Sequence, residues 1–185
     1  FNGEVYNFRT LRKELEQKGC RFRTGTDTEV ILYAWETWGA EAVNRMNGMF
    51  AFAIYDREEQ CVWLVRDRMG VKPFFYTVRN GAFIFASEIK CILEHPAYTR
   101  ELNENALAQY LCFQFSALHE TFFKGVYKLP QGHYLRVEAD GSLRMHRYWR
   151  PQYHADEQRS PAETVEEEYQ RTQRLEVGIL TIVAE

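Results

Sequence analysis

Two short stretches hold residue types that could do chemistry if they were brought together: Asn2-Gly3-Glu4 and Gly25-Thr26-Asp27. A side-chain amide next to a glycine N–H offers two donors that can converge on one oxygen, the arrangement that stabilises a tetrahedral oxyanion. A carboxylate held at a loop–helix junction can pair with a ligand ammonium. Each stretch also has a plainer reading. Asn-Gly is a common turn, and an Asp at a helix start is an N-cap. Other side chains are weaker candidates. The histidines at 95, 119, 133, 146 and 154 lack the spacing of a metal site. Arg66, Asp67 and Arg68 end an apolar run and read as a structural charge cluster, while Glu166–Glu168 reads as a solvated helix face.

The elements that must position these residues follow from periodicity. RTLRKELEQK, residues 9–18, puts Leu11 and Leu15 four apart among strong helix formers and ahead of Gly19, which predicts a helix. RFRTGT is a short extended stretch and turn. DTEVILYAWETWG then starts with Asp27 as N-cap and spaces Val30, Ile31, Ala34, Trp35 and Trp38 for a helix over 28–38, with residues 40–46 as a short continuation.

From there the period changes. MFAFAIYD, CVWLVRD, KPFFYTV and AFIFAS are short, aromatic and β-branched, and Asn80-Gly81 is a strong hairpin signal. They predict an antiparallel meander of about four strands, apolar on both faces and so covered on both sides. SEIKCILEH and LNENALAQYLCF read as helices, the second capped by Asn103, and HYLRVEADGSLRMHRYW reads as a hairpin around Asp140-Gly141. Residues 1–150 are expected to form one domain. Residues 151–185 are expected to be a polar linker, an acidic helix opened by Pro161 and the start of a truncated second domain.

Composition narrows the function classes. With 185 residues, 45% hydrophobic and 15% aromatic, the chain can fill a core and is not of disordered type. A net charge of -3 gives no electrostatic reason to expect nucleic acid or an anionic membrane as partner. The longest apolar run, MFAFAIY, is too short to span a bilayer. The four cysteines, at 20, 61, 91 and 112, have no C-x-x-C spacing, which predicts buried thiols in a cytoplasmic protein and no metal site.

Taken in order, FNGEVYNFRTLRKEL, FRTGTDTEVIL, GMFAFAIYD, RDRMGVKPFFY, FASEIKCIL, FKGVYKLPQGHYL and RYW resemble the glutamine-hydrolysing asparagine synthetases over residues 1 to 149. The early stretches are similar to any class II glutamine amidotransferase. FKGVYKLPQGHYL followed by RYW is more particular to the synthetase branch.

The resemblance implies an α+β fold, a four-layer αββα sandwich of two antiparallel sheets of the N-terminal-nucleophile hydrolase kind, incomplete at its N-terminus. It implies that a cysteine thiolate attacks the glutamine side-chain amide, with that cysteine's own α-amine as base. Asn2 and Gly3 would then be the oxyanion donors, Asp27 would accept from the substrate α-ammonium, and Glu4 would be a further contact with glutamine. Phe1 stands first here, so the nucleophile, its strands and an arginine for the substrate carboxylate are expected outside these residues, and the chain by itself is expected to be inactive. No cofactor is expected in the chain. ATP and magnesium would serve a synthetase domain, absent from the chain, that transfers the ammonia to aspartate. A homodimer is an open expectation. A non-catalytic binding or regulatory module, or another class II amidotransferase, remains as the alternative.

Overall fold

Along one strand, Phe50, Phe52 and Ile54 alternate with Ala51 and Ala53, and that alternation separates two cores. The computed structural model of the chain describes residues 1–114 and 119–152. In chain order its first elements are β1 (Asn2–Val5), α1 (Phe8–Gln17), α2 (Asp27–Trp38), a single 3-10 turn (Gly39–Glu41) and α3 (Ala42–Arg45). Four strands follow: β2 (Gly48–Asp56), β3 (Cys61–Arg66), β4 (Phe75–Arg79) and β5 (Ala82–Ala86). Then come α4 (Ile89–Leu93), α5 (Glu104–Phe113), β6 (Val126–Lys128), β7 (His133–Val137) and β8 (Leu143–Arg147).

The strands form two antiparallel sheets, one in the order β1-β2-β3-β7-β8 and one in the order β5-β4-β6. Leu11, Leu15, Val30, Ile31, Ala34 and Trp35 from the helices pack on Phe50, Phe52 and Val65 of the larger sheet. Its opposite face, with Ala51, Leu64 and Leu135, meets Phe74, Tyr76 and Leu129 beside and on the smaller sheet. Ile92 of α4 packs on Val126, Phe75 and Ile84 on the outer face of that sheet. The layers are therefore helix, sheet, sheet, helix, as the resemblance implied. Side chains of the size of Phe50 and Leu64, essentially fully buried here, each contribute roughly 1.5–3 kcal/mol on leaving water.

The four apolar runs of the middle do not make one meander. β2 pairs with β3 from Ala51↔Arg66 to Asp56↔Cys61, and β4 pairs with β5 from Phe75↔Ala86 to Arg79↔Ala82, but the two hairpins belong to different sheets. The connection between them is the cause. Asp67, 1% exposed, accepts the N–H groups of Met69, Val71 and Lys72 at 3.0–3.1 Å. Arg66 donates to the carbonyls of Gly70, Lys72 and Leu129 at 2.7–2.8 Å. This loop carries the chain across the inter-sheet gap, where a tight turn would have kept it in one sheet. Arg66 and Asp67 are structural, as expected, and their hydrogen bonds go to backbone groups.

The two hairpin signals hold. Asn80 and Gly81 both have positive φ (50° and 75°) in the β4–β5 turn, and β7 pairs with β8 across Asp140-Gly141. Asn103 stands at the N-cap of α5 without a capping bond, and its amide N–H groups donate to Glu120 and to the Thr121 carbonyl. The chain divides into the units Phe1–Arg150 and Pro151–Glu185. The linker and Pro161 helix expected over 151–185 lie, save Pro151 and Gln152, outside the described residues.

Candidate functional site

β1 is an edge strand whose register on β2 is Asn2↔Ala51, Gly3↔Phe50, Glu4↔Met49 and Val5↔Gly48. Alternation along it turns Val5 into the helix-side core, where it is fully buried, and puts Asn2 and Glu4 on the opposite face, toward the second sheet. The Tyr6 N–H donates to Asn47 O, toward β2, at 2.8 Å. The N–H groups of Val5 and Gly3 therefore lie on the free edge.

Two glycines allow this close pairing. A Cβ on Gly3 would lie 2.1 Å from Met49 O, and φ there is +139°, while a Cβ on Gly48 would lie 2.1 Å from Glu4 O. Asn7 holds the far end of the strand, donating to Arg45 O and accepting from Asn47 N, both at 2.9 Å. Asn7 is thus a positioning residue. Its only signal was a second Asn in FNGEVYN.

Asp27 reaches the same edge from α2. Its Oδ2 accepts the Val5 N–H at 3.1 Å. It is not the N-cap predicted for it. Thr26, with extended φ and ψ of -90° and 152°, takes that position, and its Oγ1 accepts from Glu29 N. The Glu29 carboxylate turns back to the N–H groups of Arg23 and Thr24 and to the Thr24 hydroxyl, at 2.6–2.8 Å. These bonds, the Thr24 hydroxyl first and the Arg23 N–H next, hold the Glu29 carboxyl below the ordinary glutamate range. TDTE has the sequence signature of a capping box, but only half of one forms: Thr26 caps Glu29 N, while the Glu29 carboxylate reaches past the Thr26 N–H to those of Arg23 and Thr24. With Thr26 as cap, the Asp27 carboxylate is free to meet β1. From α1, Arg12 braces the loop by donating to Thr24 O at 2.6 Å.

A cavity of about 220 Å³ opens between the sheets beside Asn2, with Ala51, Ala53 and Phe85 among its apolar walls and Ser87 as its other polar side chain. Glu4 is exposed on β1 and does not line it. Asn2, Gly3, Glu4 and Asp27 thus share the free edge of one strand, with Asn2 alone of the four facing the cavity. A larger cavity, about 630 Å³, lies between α2 and the β2–β3 hairpin and contains none of these four.

The cysteines are not uniformly buried, which corrects the expectation. Cys61 is buried, and burial pushes its thiol up, but Cys91 and Cys112 are exposed. Among the described residues no group of three or more His, Cys, Asp or Glu is placed to hold a metal ion, and no helix is long and apolar enough to cross a membrane. The later motifs brace the scaffold. The Tyr148 hydroxyl donates to Arg66 O at 2.8 Å, and Gly132 O accepts from the Tyr148 and Trp149 N–H groups.

Residues 1–149 match the family described as the glutamine amidotransferase domain. The chain is 41% identical over 150 residues to asparagine synthetase (glutamine-hydrolysing) 3 of Bacillus subtilis, covering 80% of this chain and 24% of that protein. It is 37% identical over 153 residues to asparagine synthetase (glutamine-hydrolysing) 1 of the same organism, covering 83% and 24%. The chain therefore spans about a quarter of the length of these relatives. Among solved structures, the B. subtilis glutamine phosphoribosylpyrophosphate amidotransferase bound to ADP and GMP superposes with a TM-score of 0.56 at 21% identity, over 80% of this chain and 28% of that one. That likeness is one of fold, the sandwich of two antiparallel sheets between helices. By the family match over residues 1–149, the chain belongs to the glutamine amidotransferase domain family.

Proposed function

We propose that the chain is the glutamine-hydrolysing half of an asparagine synthetase-like enzyme, converting glutamine to glutamate and ammonia. The observation that carries this reading is the Asp27–Val5 bond. It fixes a carboxylate at Val5 on the same strand edge as the Gly3 N–H, two residues along β1 from Gly3 and three from Asn2.

In the proposed reaction a cysteine thiolate, supplied from outside these residues, adds to the glutamine side-chain carbonyl. The Asn2 amide and the Gly3 N–H donate to the resulting oxyanion, where preorganised donors are most effective. Asp27 and Glu4 meet the substrate at its other end, Asp27 accepting from the α-ammonium in a charge-assisted bond. The thioester then hydrolyses to glutamate, and ammonia passes to an ATP- and magnesium-dependent domain with aspartate as acceptor. On this proposal ATP and magnesium belong to that second domain. The setting is proposed to be the cytoplasm, as one protomer of a homodimer.

The test is ammonia and glutamate release from glutamine by the full-length protein proposed to carry this chain. Equimolar release supports the reading, and none overturns it. The isolated chain is expected to release no ammonia above a control with its four cysteines changed to serine.

A further inference from the structure

Only two polar side chains line the cavity between the sheets, the Asn2 amide and the Ser87 hydroxyl, in walls otherwise made of phenylalanine and alanine. Among the described residues neither makes a hydrogen bond to the protein. Ser87 is half-buried and directly follows β5, whose last residue, Ala86, is paired with Phe75. Ala86 and Ile89, either side of it in the chain, pack against the Ile92 core. Its hydroxyl is thus presented from a fixed backbone, on the sheet facing the one that carries Asn2. A single hydroxyl in an otherwise apolar wall is a fixed point at which an occupant can be hydrogen-bonded and oriented.

We propose that Ser87 is a leaving-group contact: its hydroxyl oxygen accepts a hydrogen bond from the side-chain nitrogen of glutamine as that nitrogen departs as ammonia. This deepens, and rests on, the glutaminase reading. In that reading Asn2 and Gly3 take the amide oxygen, which leaves the nitrogen as the substituent needing an acceptor, and Ser87 is the remaining polar group on the cavity wall. Ser87 forms no covalent bond. The C–N bond breaks as the thioester forms, with the proton coming from the α-amine of the nucleophilic cysteine. Ser87 only orients the nitrogen that receives it.

The discriminating experiment compares two substrates in the full-length protein: glutamine, whose leaving group bears N–H donors, and glutamate γ-methyl ester, whose leaving group has none. Ser87→Ala is expected to lower kcat/KM for glutamine about three- to tenfold, the range of one neutral hydrogen bond, and to leave the ester unchanged. Ser87→Thr, which keeps the hydroxyl, is expected to restore much of the glutamine activity. An equal fall for both substrates would show a merely structural role and overturn the proposal, as would unchanged glutamine kinetics. If the unsubstituted protein hydrolyses neither substrate, the glutaminase reading fails and this proposal with it.

Discussion

The Asp27 carboxylate accepts the backbone N–H of Val5 at 3.1 Å, across a separation of 22 residues, and so fastens the first turn of α2 to the free edge of β1. The same contact turns a residue that reads as a helix cap into part of a site. Thr26 does the capping, and the bond to Val5 leaves Asp27 Oδ1 available to a ligand.

Asp27→Asn keeps an oxygen for the Val5 N–H and leaves the Thr26 cap untouched, so thermal stability should change little. It removes the negative charge proposed to face the substrate ammonium. A hydrogen bond to a charged group is worth roughly 1.5–3 kcal/mol, so kcat/KM for glutamine in the full-length protein should fall about ten- to a hundredfold. Ammonia-driven amide synthesis should persist, because free ammonia bypasses this pocket. Loss of both activities together with a lower Tm would mark Asp27 as a structural residue only.

Gly3→Ala should detach β1. The new Cβ would meet Met49 O at 2.1 Å from a backbone with φ of +139°, and such a backbone alone costs a non-glycine residue about 1–3 kcal/mol. Gly81→Ala is the control: φ is also positive, at +75°, but nothing lies within 4 Å of the added carbon. Urea midpoints should therefore show a clearly larger loss at Gly3. Equal losses would mean that the contact with β2 does not limit this position.

Much of this was legible in the sequence, and the misses share a cause. α1 and α2 could be read because Leu11, Leu15, Val30, Ile31 and Ala34 recur at helical spacing and are the residues that end up buried. Asn2 and Gly3 could be singled out by type. What could not be read was anything set by contacts distant in sequence. The split of four strands between two sheets depends on Arg66 reaching Leu129 O, 63 residues away. The pairing of Asp27 with β1 depends on how α2 lies against the sheet. Ser87 carries no local signal, since only the inter-sheet packing brings it to the cavity that Asn2 lines. The helix start was legible, but its cap is Thr26, one residue before the Asp27 that the sequence favours.

The Glu29 carboxylate, bound to the loop before α2, makes a pH-dependent prediction. Glu29 has its carboxyl held below the ordinary glutamate range, chiefly by the Thr24 hydroxyl. A depressed folded-state pKa contributes stability above the unfolded value, and that stability is lost as pH falls through the folded one. Glu29→Gln should therefore lower Tm at neutral pH, and the gap to the unsubstituted chain should close as pH falls below the usual glutamate range. A gap independent of pH would assign the effect to side-chain shape. Thr26→Ala should cost about 1 kcal/mol at any pH in this range.

Asp67→Asn tests the inter-sheet loop. The buried carboxylate accepts three backbone N–H groups through both oxygens, and an amide presents one acceptor in their place. At roughly 1–3 kcal/mol for each buried donor left unsatisfied, a loss of about 2–4 kcal/mol is expected, read as a drop in urea midpoint. A neutral substitution would show that Arg66 holds the loop without Asp67.

The most direct test of the central claim, that Asn2 stabilises an oxyanion beside the inter-sheet cavity, is the steady-state kinetics of Asn2→Ala in the full-length protein. Because its donor matters most once the oxyanion exists, kcat with glutamine should fall about a hundred- to a thousandfold. KM should change little, and ammonia-driven synthesis should be intact. A raised KM with kcat preserved would make Asn2 a ground-state binding residue, and unchanged kinetics would remove it from the site; either result contradicts the claim.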